Sequence, residues 1–369
     1  MRILFINSVC GIRSTGRIVT ELAEKFIASG NECMIAYGRE AVPEKYKNIS
    51  YRIGTDLNVK INALNTRLFD NDGFCAKNET KKFIEWANNY NPDVLWLHNL
   101  HGYYINIEML FDWIKTRPNM QVKWTLHDCW AFTGHCSYFS MVNCNKWKSQ
   151  CEKCIQKKEY PSSFLKDNSF NNFQRKRIAF TGVKHMTIIT PSKWLANLVG
   201  ESFLQEYEVE VHYNTIDNTI FKPTASDFRE QHNLQNKTVI LGVASTWHER
   251  KGLMDFIKLE KMLDDKYSFV LVGVDDKQKN MLSNRFITIE KTNSAEELAK
   301  IYTAADVFLN LTYEDNYPTV NLESQACGTP CITYRTGGSV ESVSPELVVE
   351  QGDLNALVLK LQELGKKNI

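Results

Sequence analysis

Apolar and polar positions along the 369-residue chain follow two rhythms. Short runs rich in β-branched and aromatic residues fall at 2–7, 32–37, 93–97, 122–126 and 186–190, and between them apolar residues return every three or four positions. The runs suit strands buried on both faces; the intervening pattern suits amphipathic helices. A second series at 238–244, 268–272, 286–289, 306–311 and 330–334 repeats the rhythm, followed by a strand near Val348 and a helix over 354–364. Buried strands joined by helices predict parallel sheets covered on both sides. The chain is therefore expected to be α/β, with two doubly wound domains, 1–214 and 215–369, divided within 211–223. It shows no solenoid repeat and no low-complexity tract.

Composition narrows the function classes. At 369 residues and 43% hydrophobic content the chain exceeds one ordinary core and fits two. No apolar run approaches the roughly eighteen residues that span a bilayer, and the opening MRILFIN reads as a buried first strand rather than a leader. A cytoplasmic protein is expected, able to work at the inner face of a membrane as a peripheral protein. A formal net charge of +1 argues against nucleic acid as a partner, since no broad electrostatic attraction to phosphate is available. Ten cysteines without an export signal should be mostly thiols.

The segment 313–336, YEDNYPTVNLESQACGTPCITYRT, is the richest in chemistry. Pro318 favours a helix start, Gly328 suits the left-handed position past its end at Cys327, and Pro330 blocks continuation. Thr319 and Glu323, four apart, then share a helical face, so an anion held by amides at the helix start lies one turn from a carboxylate. That arrangement fits a diphosphate joined to a ribose, although acidic residues eight apart, as Asp315 and Glu323 are, commonly decorate surfaces.

The whole string resembles the signature of family four of the retaining glycosyltransferases. The resemblance implies the GT-B architecture, two Rossmann-like domains facing a central cleft, with the acceptor bound by the first and a nucleotide sugar by the second. It implies that Glu323 binds the donor ribose hydroxyls and that Asp315, with the amides of Asn316, Tyr317, Pro318 and Thr319, faces the sugar and its phosphates. A Glu usually stands at the position of Asp315, which leaves Asp315 and Glu314 as alternatives for the sugar. The segment HYNTIDNTIFKP resembles the family's interdomain stretch. Many members continue past the helix at 354–364 into helices crossing back to the first domain, so this closing element is expected to be short.

Ligands in open parallel sheets bind beyond the carboxyl ends of strands. After the first strand, Gly11 and Gly16 bracket a polar loop ahead of a helical stripe of Ile18, Leu22 and Phe26. The spacing is no dinucleotide fingerprint and by itself reads as a turn, while the resemblance places Gly16 beside the donor phosphates. His127 and Asp128 follow the strand at 122–126, where the family keeps an active-site histidine touching the donor sugar; Asp128 either orients that imidazole or caps the next turn. Arg250 and Lys251 precede Gly252 and a helix, where cations oppose the helix dipole unless an anion is near. Lys251 matches the family's basic residue for the diphosphate, whereas Ser245 stands where many members have arginine; Gly337 and Gly338 complete the donor loop.

Acceptor recognition is expected from 65–74 and 96–106, with Arg67, His98, His101 and Tyr103 as candidates against core or surface alternatives. These stretches resemble a subgroup linked to bacterial surface polysaccharides, implying a glycan or lipid-linked acceptor and a UDP or GDP sugar as co-substrate. The resemblance implies no metal cofactor for transfer. Cys136, Cys144, Cys151 and Cys154 fall within nineteen residues and end in Cys-x-x-Cys, which suits either a structural zinc or free thiols. Two other function classes share the architecture or its pocket: a nucleotide-sugar epimerase or sugar phosphorylase, and a catalytically silent sugar-binding protein.

Overall fold

The computed structural model describes residues 1–367, which divide into two compact units, Met1–Tyr213 and a second beginning at Asn214. The first unit's strands are β1 (Arg2–Asn7), β2 (Glu32–Tyr37), β3 (Ser50–Arg52), β4 (Val94–Leu97), β5 (Gln121–Thr125), β6 (Met186–Thr190) and β7 (Glu208–Val211). Its helices are α1 (Arg13–Ala28), α2 (Asp56–Phe69), α3 (Lys77–Tyr90), α4 (Ile107–Lys115), α5 (Ser169–Phe180) and α6 (Lys193–Gly200). Among the described residues the strands form one parallel sheet in the order β3-β2-β1-β4-β5-β6-β7. The run of chain order reverses between β1 and β4, which opens a switch point at their carboxyl ends.

The second unit contains α7 (Phe228–Gln231), β8 (Thr238–Val243), α8 (Leu253–Met262), β9 (Tyr267–Val272), α9 (Asp276–Lys279), β10 (Phe286–Ile289), α10 (Ala295–Ala304), β11 (Val307–Asn310), α11 (Thr319–Ala326), β12 (Cys331–Tyr334), β13 (Val348–Val349) and α12 (Leu354–Lys367). Its sheet is again parallel, β10-β9-β8-β11-β12-β13, with the switch between β8 and β11. Both sheets bury both faces. Leu4, Ile6, Leu95 and Trp124 pack one side of the first and Ile3, Phe5, Ile35 and Trp96 the other. Ile240, Phe269 and Leu309 divide from Leu241, Val270 and Phe308 in the same way in the second. Period-two side chains with both faces apolar are why these runs read as continuous rather than alternating.

The edge strands β3 and β7 were not expected. SYR and EVEV carry polar or charged side chains and are half-buried or exposed, so they give no apolar signal. Among the described residues no helix is long and apolar enough to cross a membrane.

Candidate functional site

The candidate donor residues collect at the carboxyl ends of β8, β11 and β12. α11 runs Thr319–Ala326, with Pro318 as its extended cap, one position earlier than a first-turn proline, and with Gly328 left-handed at φ 86° beyond it. The helix is held rigidly. Asn321, fully buried, accepts from Asn310 on β11 at 2.7 Å and donates to Ser339 at 3.1 Å and Ser342 at 2.8 Å in the loop after β12. Thr333 and Ser339 hydroxyls close the network at 2.8 Å. Asn321 has no individual sequence signal; only the meeting of β11 with the loop after β12 gives it this role.

Arg250 and Lys251 lie in a 3-10 turn before α8. The turn approaches β11 so closely that a Cβ at Gly252, φ 77°, would stand 2.1 Å from the Leu311 carbonyl oxygen, so only glycine fits. Arg250 donates to the Glu314 carbonyl at 2.6 Å, and Lys251 Nζ meets Asp315 Oδ2 at 2.5 Å. Asp315 Oδ1 accepts the Asn316 amide at 2.9 Å. Burial alone would raise the Asp315 carboxyl, but Lys251 and Arg250 outweigh it and hold it below its usual range. Glu323 is buried, and its Oε2 accepts from Tyr302 at 3.2 Å, a partner the sequence does not announce. Glu314 is also buried, while the Tyr317 carbonyl accepts from Asn214 at 2.8 Å. Ser245 is exposed, and Gly337 is left-handed at φ 47° in the loop after β12 that also contains Gly338.

In the first unit the ends of β4 and β5 bring His98 and His127 together, Nδ1 to Nε2 at 3.0 Å with rings stacked 5.3 Å apart. Trp124 Nε1 donates to the His98 carbonyl at 3.1 Å and so pins the pair. Burial strips water from both imidazolium forms, driving His98 well below 6.5 and His127 to about 4, so both rings are neutral near pH 7. Asp128 makes its hydrogen bonds elsewhere. Its Oδ1 accepts the Trp130 amide at 2.9 Å, capping the turn, and its Oδ2 lies 3.0 Å from His101 Nε2. His101 Nδ1 meets the Tyr160 hydroxyl at 3.0 Å. Although burial opposes it, the Asp128 carboxylate raises His101 above its ordinary value. The hydrogen-bond partner found for the His127 ring is His98, a residue expected among the acceptor contacts.

Tyr103, at φ 72°, and Gly102 donate their amides to buried Asp72 at 3.1 and 3.2 Å. Burial raises the Asp72 carboxyl, and its Oδ2 has no hydrogen-bond partner among the described residues. The chain does contain an Asp-x-Asp triplet, Asp70-Asn71-Asp72, but Asp70 Oδ1 pairs with His135 Nδ1 at 2.5 Å, so the two carboxylates are committed to different partners. Arg67 is exposed on α2. Gly16 is buried in the first turn of α1, its carbonyl accepting from Gly11 N at 3.1 Å and its α-carbon facing Val9, so it closes the turn.

No disulfide joins any two of the ten cysteines, and among the described residues no group of three or more His, Cys, Asp or Glu stands ready to hold a metal ion. Cys136, Cys144, Cys151 and Cys154 nevertheless line one cavity.

Comparison with known proteins bears on the same elements. Residues 225–368 match the family described as glycosyl transferases group 1. A protein named as a colanic acid biosynthesis glycosyl transferase, WcaC, of Escherichia coli strain K12 is 25% identical over 314 residues, covering 82% of this chain and 74% of that protein. The N-acetyl-alpha-D-glucosaminyl L-malate synthase of Bacillus anthracis is 27% identical over 203 residues, 52% of this chain and 50% of its own. Among solved structures, HepE of Anabaena in complex with UDP superposes with a TM-score of 0.67 at 14% identity, covering 100% of this chain and 91% of that one. The sucrose-phosphate synthase of Thermosynechococcus elongatus gives 0.66 at 17% identity, covering 99% and 90%. These likenesses agree on two parallel α/β units of the GT-B kind. What the chain shares with the group 1 glycosyl transferases is therefore its second unit, from residue 225 onward, together with a weaker likeness to WcaC that runs through most of its length.

Proposed function

We propose that the protein moves a sugar, with retention, from a nucleoside-diphosphate sugar to a glycan or lipid-linked acceptor in bacterial surface-polysaccharide synthesis, on the cytoplasmic side of a membrane. The observation that carries this reading is the array of Lys251, Asp315, the start of α11 and Glu323 at the β8/β11 switch. Amides at the start of α11 and the Arg250 and Lys251 cations offer donors where the leaving diphosphate gains charge, and such fixed donors stabilise developing charge without reorganisation. Lys251 passes part of its charge from Asp315 to the diphosphate, which frees Asp315 for the sugar hydroxyls. Glu323 takes the ribose. His127, held by His98, hydrogen-bonds the donor sugar and fixes its anomeric carbon.

The donor base is proposed to be uracil, in line with the UDP bound by HepE. Acceptor contacts are proposed for His101, Tyr103 and Arg67 in the first unit. No metal is required for transfer in this reading, because Arg250, Lys251 and the α11 amides meet the diphosphate. The test is thermal-shift titration with UDP, GDP and ADP, followed by NMR of the product formed from the stabilising nucleotide's sugar. Selective stabilisation by UDP and an axial-to-axial outcome support the proposal. Turnover without an acceptor, or only with inorganic phosphate, assigns the protein to epimerases or phosphorylases instead.

A further inference from the structure

Between a 3-10 turn at Trp130–Phe132 and α5, residues 133–168 contain one further 3-10 turn, Lys146–Lys148, and no other helix or strand. A stretch this long without regular structure cannot build a core of its own and needs fastening. It is nonetheless well packed: Trp147 is 2% exposed and stacks on Phe139 at 4.8 Å. The four cysteines line a single cavity of about 20 Å³ together with His135 and Trp147. That volume holds one sphere the size of a water molecule or an ion.

Two backbone amides are already aimed at the sulfurs, Gly134 N–H at Cys151 and Gln156 N–H at Cys154. Asn143 and Lys153, immediately before Cys144 and Cys154, adopt left-handed φ values of 49° and 45°. Asparagine adopts that conformation readily, but for a lysine it is costly and persists where the surroundings demand it. The thiols of Cys144 and Cys154 that follow these two residues both line the shared cavity. The Cys136 and Cys154 side chains are within hydrogen-bonding reach of each other. Lys146 lines the same cavity and spans the loop, its Nζ donating to the Glu152 carbonyl at 2.9 Å.

We propose that Cys136, Cys144, Cys151 and Cys154 form a tetrathiolate site for one Zn2+ that fastens the 133–168 insertion to the first unit. On ligation the four thiols release four protons to water, and the product carries a net charge of −2 that the two amides and the buried Lys176, whose field reaches Cys151 and Cys136, offset in part. The sulfurs do not yet form a shell, so binding draws them over the cavity to Zn–S distances of about 2.3 Å. The same insertion carries Tyr160, whose hydroxyl meets His101, and its Phe164 amide donates to the Arg67 carbonyl at 2.7 Å. The metal therefore also steadies two of the acceptor candidates.

The test uses the full-length chain, purified under a phosphine reductant without added metal. Elemental analysis should give about one zinc per chain, and Cys151→Ser should reduce this to below about half. Independently, the chelator-stripped wild-type chain titrated with Co2+ should develop the charge-transfer and ligand-field bands of a tetrahedral tetrathiolate, saturating at one equivalent and displaced by Zn2+. Failure of the variant to fold leaves this titration decisive. Absence of zinc together with absence of those bands overturns the proposal, as does a visible iron–sulfur chromophore in the chain as purified.

Discussion

Glu323 can be tested so that its two roles separate. Its carboxylate accepts from the fully buried Tyr302 hydroxyl and, in the proposed function, binds the donor ribose. Glu323→Gln keeps an oxygen for Tyr302 but removes the charge. A hydrogen bond to a charged group contributes about 1.5–3 kcal/mol, so the donor Kd should rise about 10- to 150-fold while unfolding moves little. Glu323→Ala also orphans the Tyr302 hydroxyl, at about 1–3 kcal/mol, and for a domain of this size each kcal/mol lowers Tm by about 2–4 °C. Tyr302→Phe is the counterpart: it leaves the charge and should keep donor affinity within about threefold, the lost contact being on the far side of the carboxylate. Isothermal titration of the donor nucleotide sugar, paired with thermal unfolding of each variant, reads both quantities. A Glu323→Gln protein that binds donor within twofold of wild type removes this residue from the ribose and takes the main support from the proposed function.

Lys251→Met should weaken UDP binding by about tenfold or more and flatten its salt dependence, since it removes a cation from the diphosphate; binding isotherms at two ionic strengths check this. His127→Ala should lower kcat by at least about 100-fold with donor Kd nearly unchanged, and His98→Phe should lower kcat less, through loss of the ring's orientation; steady-state kinetics with direct donor binding separate the two. The folded pKa of His127, about 4, lies below its unfolded value of 6.5 because burial disfavours the cation, and that of His98 is depressed in the same direction. Their contribution to stability is therefore complete above pH 6.5 and is lost as pH falls towards 4, at up to about 1.4 kcal/mol per pH unit for each group. Chemical denaturation across that range should show a slope that His127→Gln reduces. Lys176, buried and donating to the Trp130 and Thr133 carbonyls at 2.8 and 3.1 Å, anchors the start of the insertion, so Lys176→Met should destabilise the first unit by about 2–4 kcal/mol in urea melts.

What could be read along the chain was what local chemistry dictates. Strands buried on both faces announce themselves as apolar β-branched runs, and β1, β2, β6 and β10 fall where those runs do. α11 is bracketed by Pro318 and Gly328, whose backbone limits act within a residue or two whatever surrounds them. Position past a strand end drew attention to the segments of His127 and Lys251, because a parallel sheet exposes its chemistry there, and the resemblance to a known signature then singled out these two residues and Asp315. Partnership was different. That His98 meets His127 while Asp128 pairs with His101, and that Asn321 ties β11 to the loop after β12, depend on strand order, and that Glu323 leans on Tyr302 and four cysteines line one cavity depends on how helices and loop pack. Nothing local specifies strand order: β1 lies beside β4, far away in the chain, because buried apolar faces and ladder hydrogen bonds are satisfied together only in that arrangement. The residues' chemistry is written singly in the sequence, and their distances, burial and shifted pKa values exist only once the sheets have assembled.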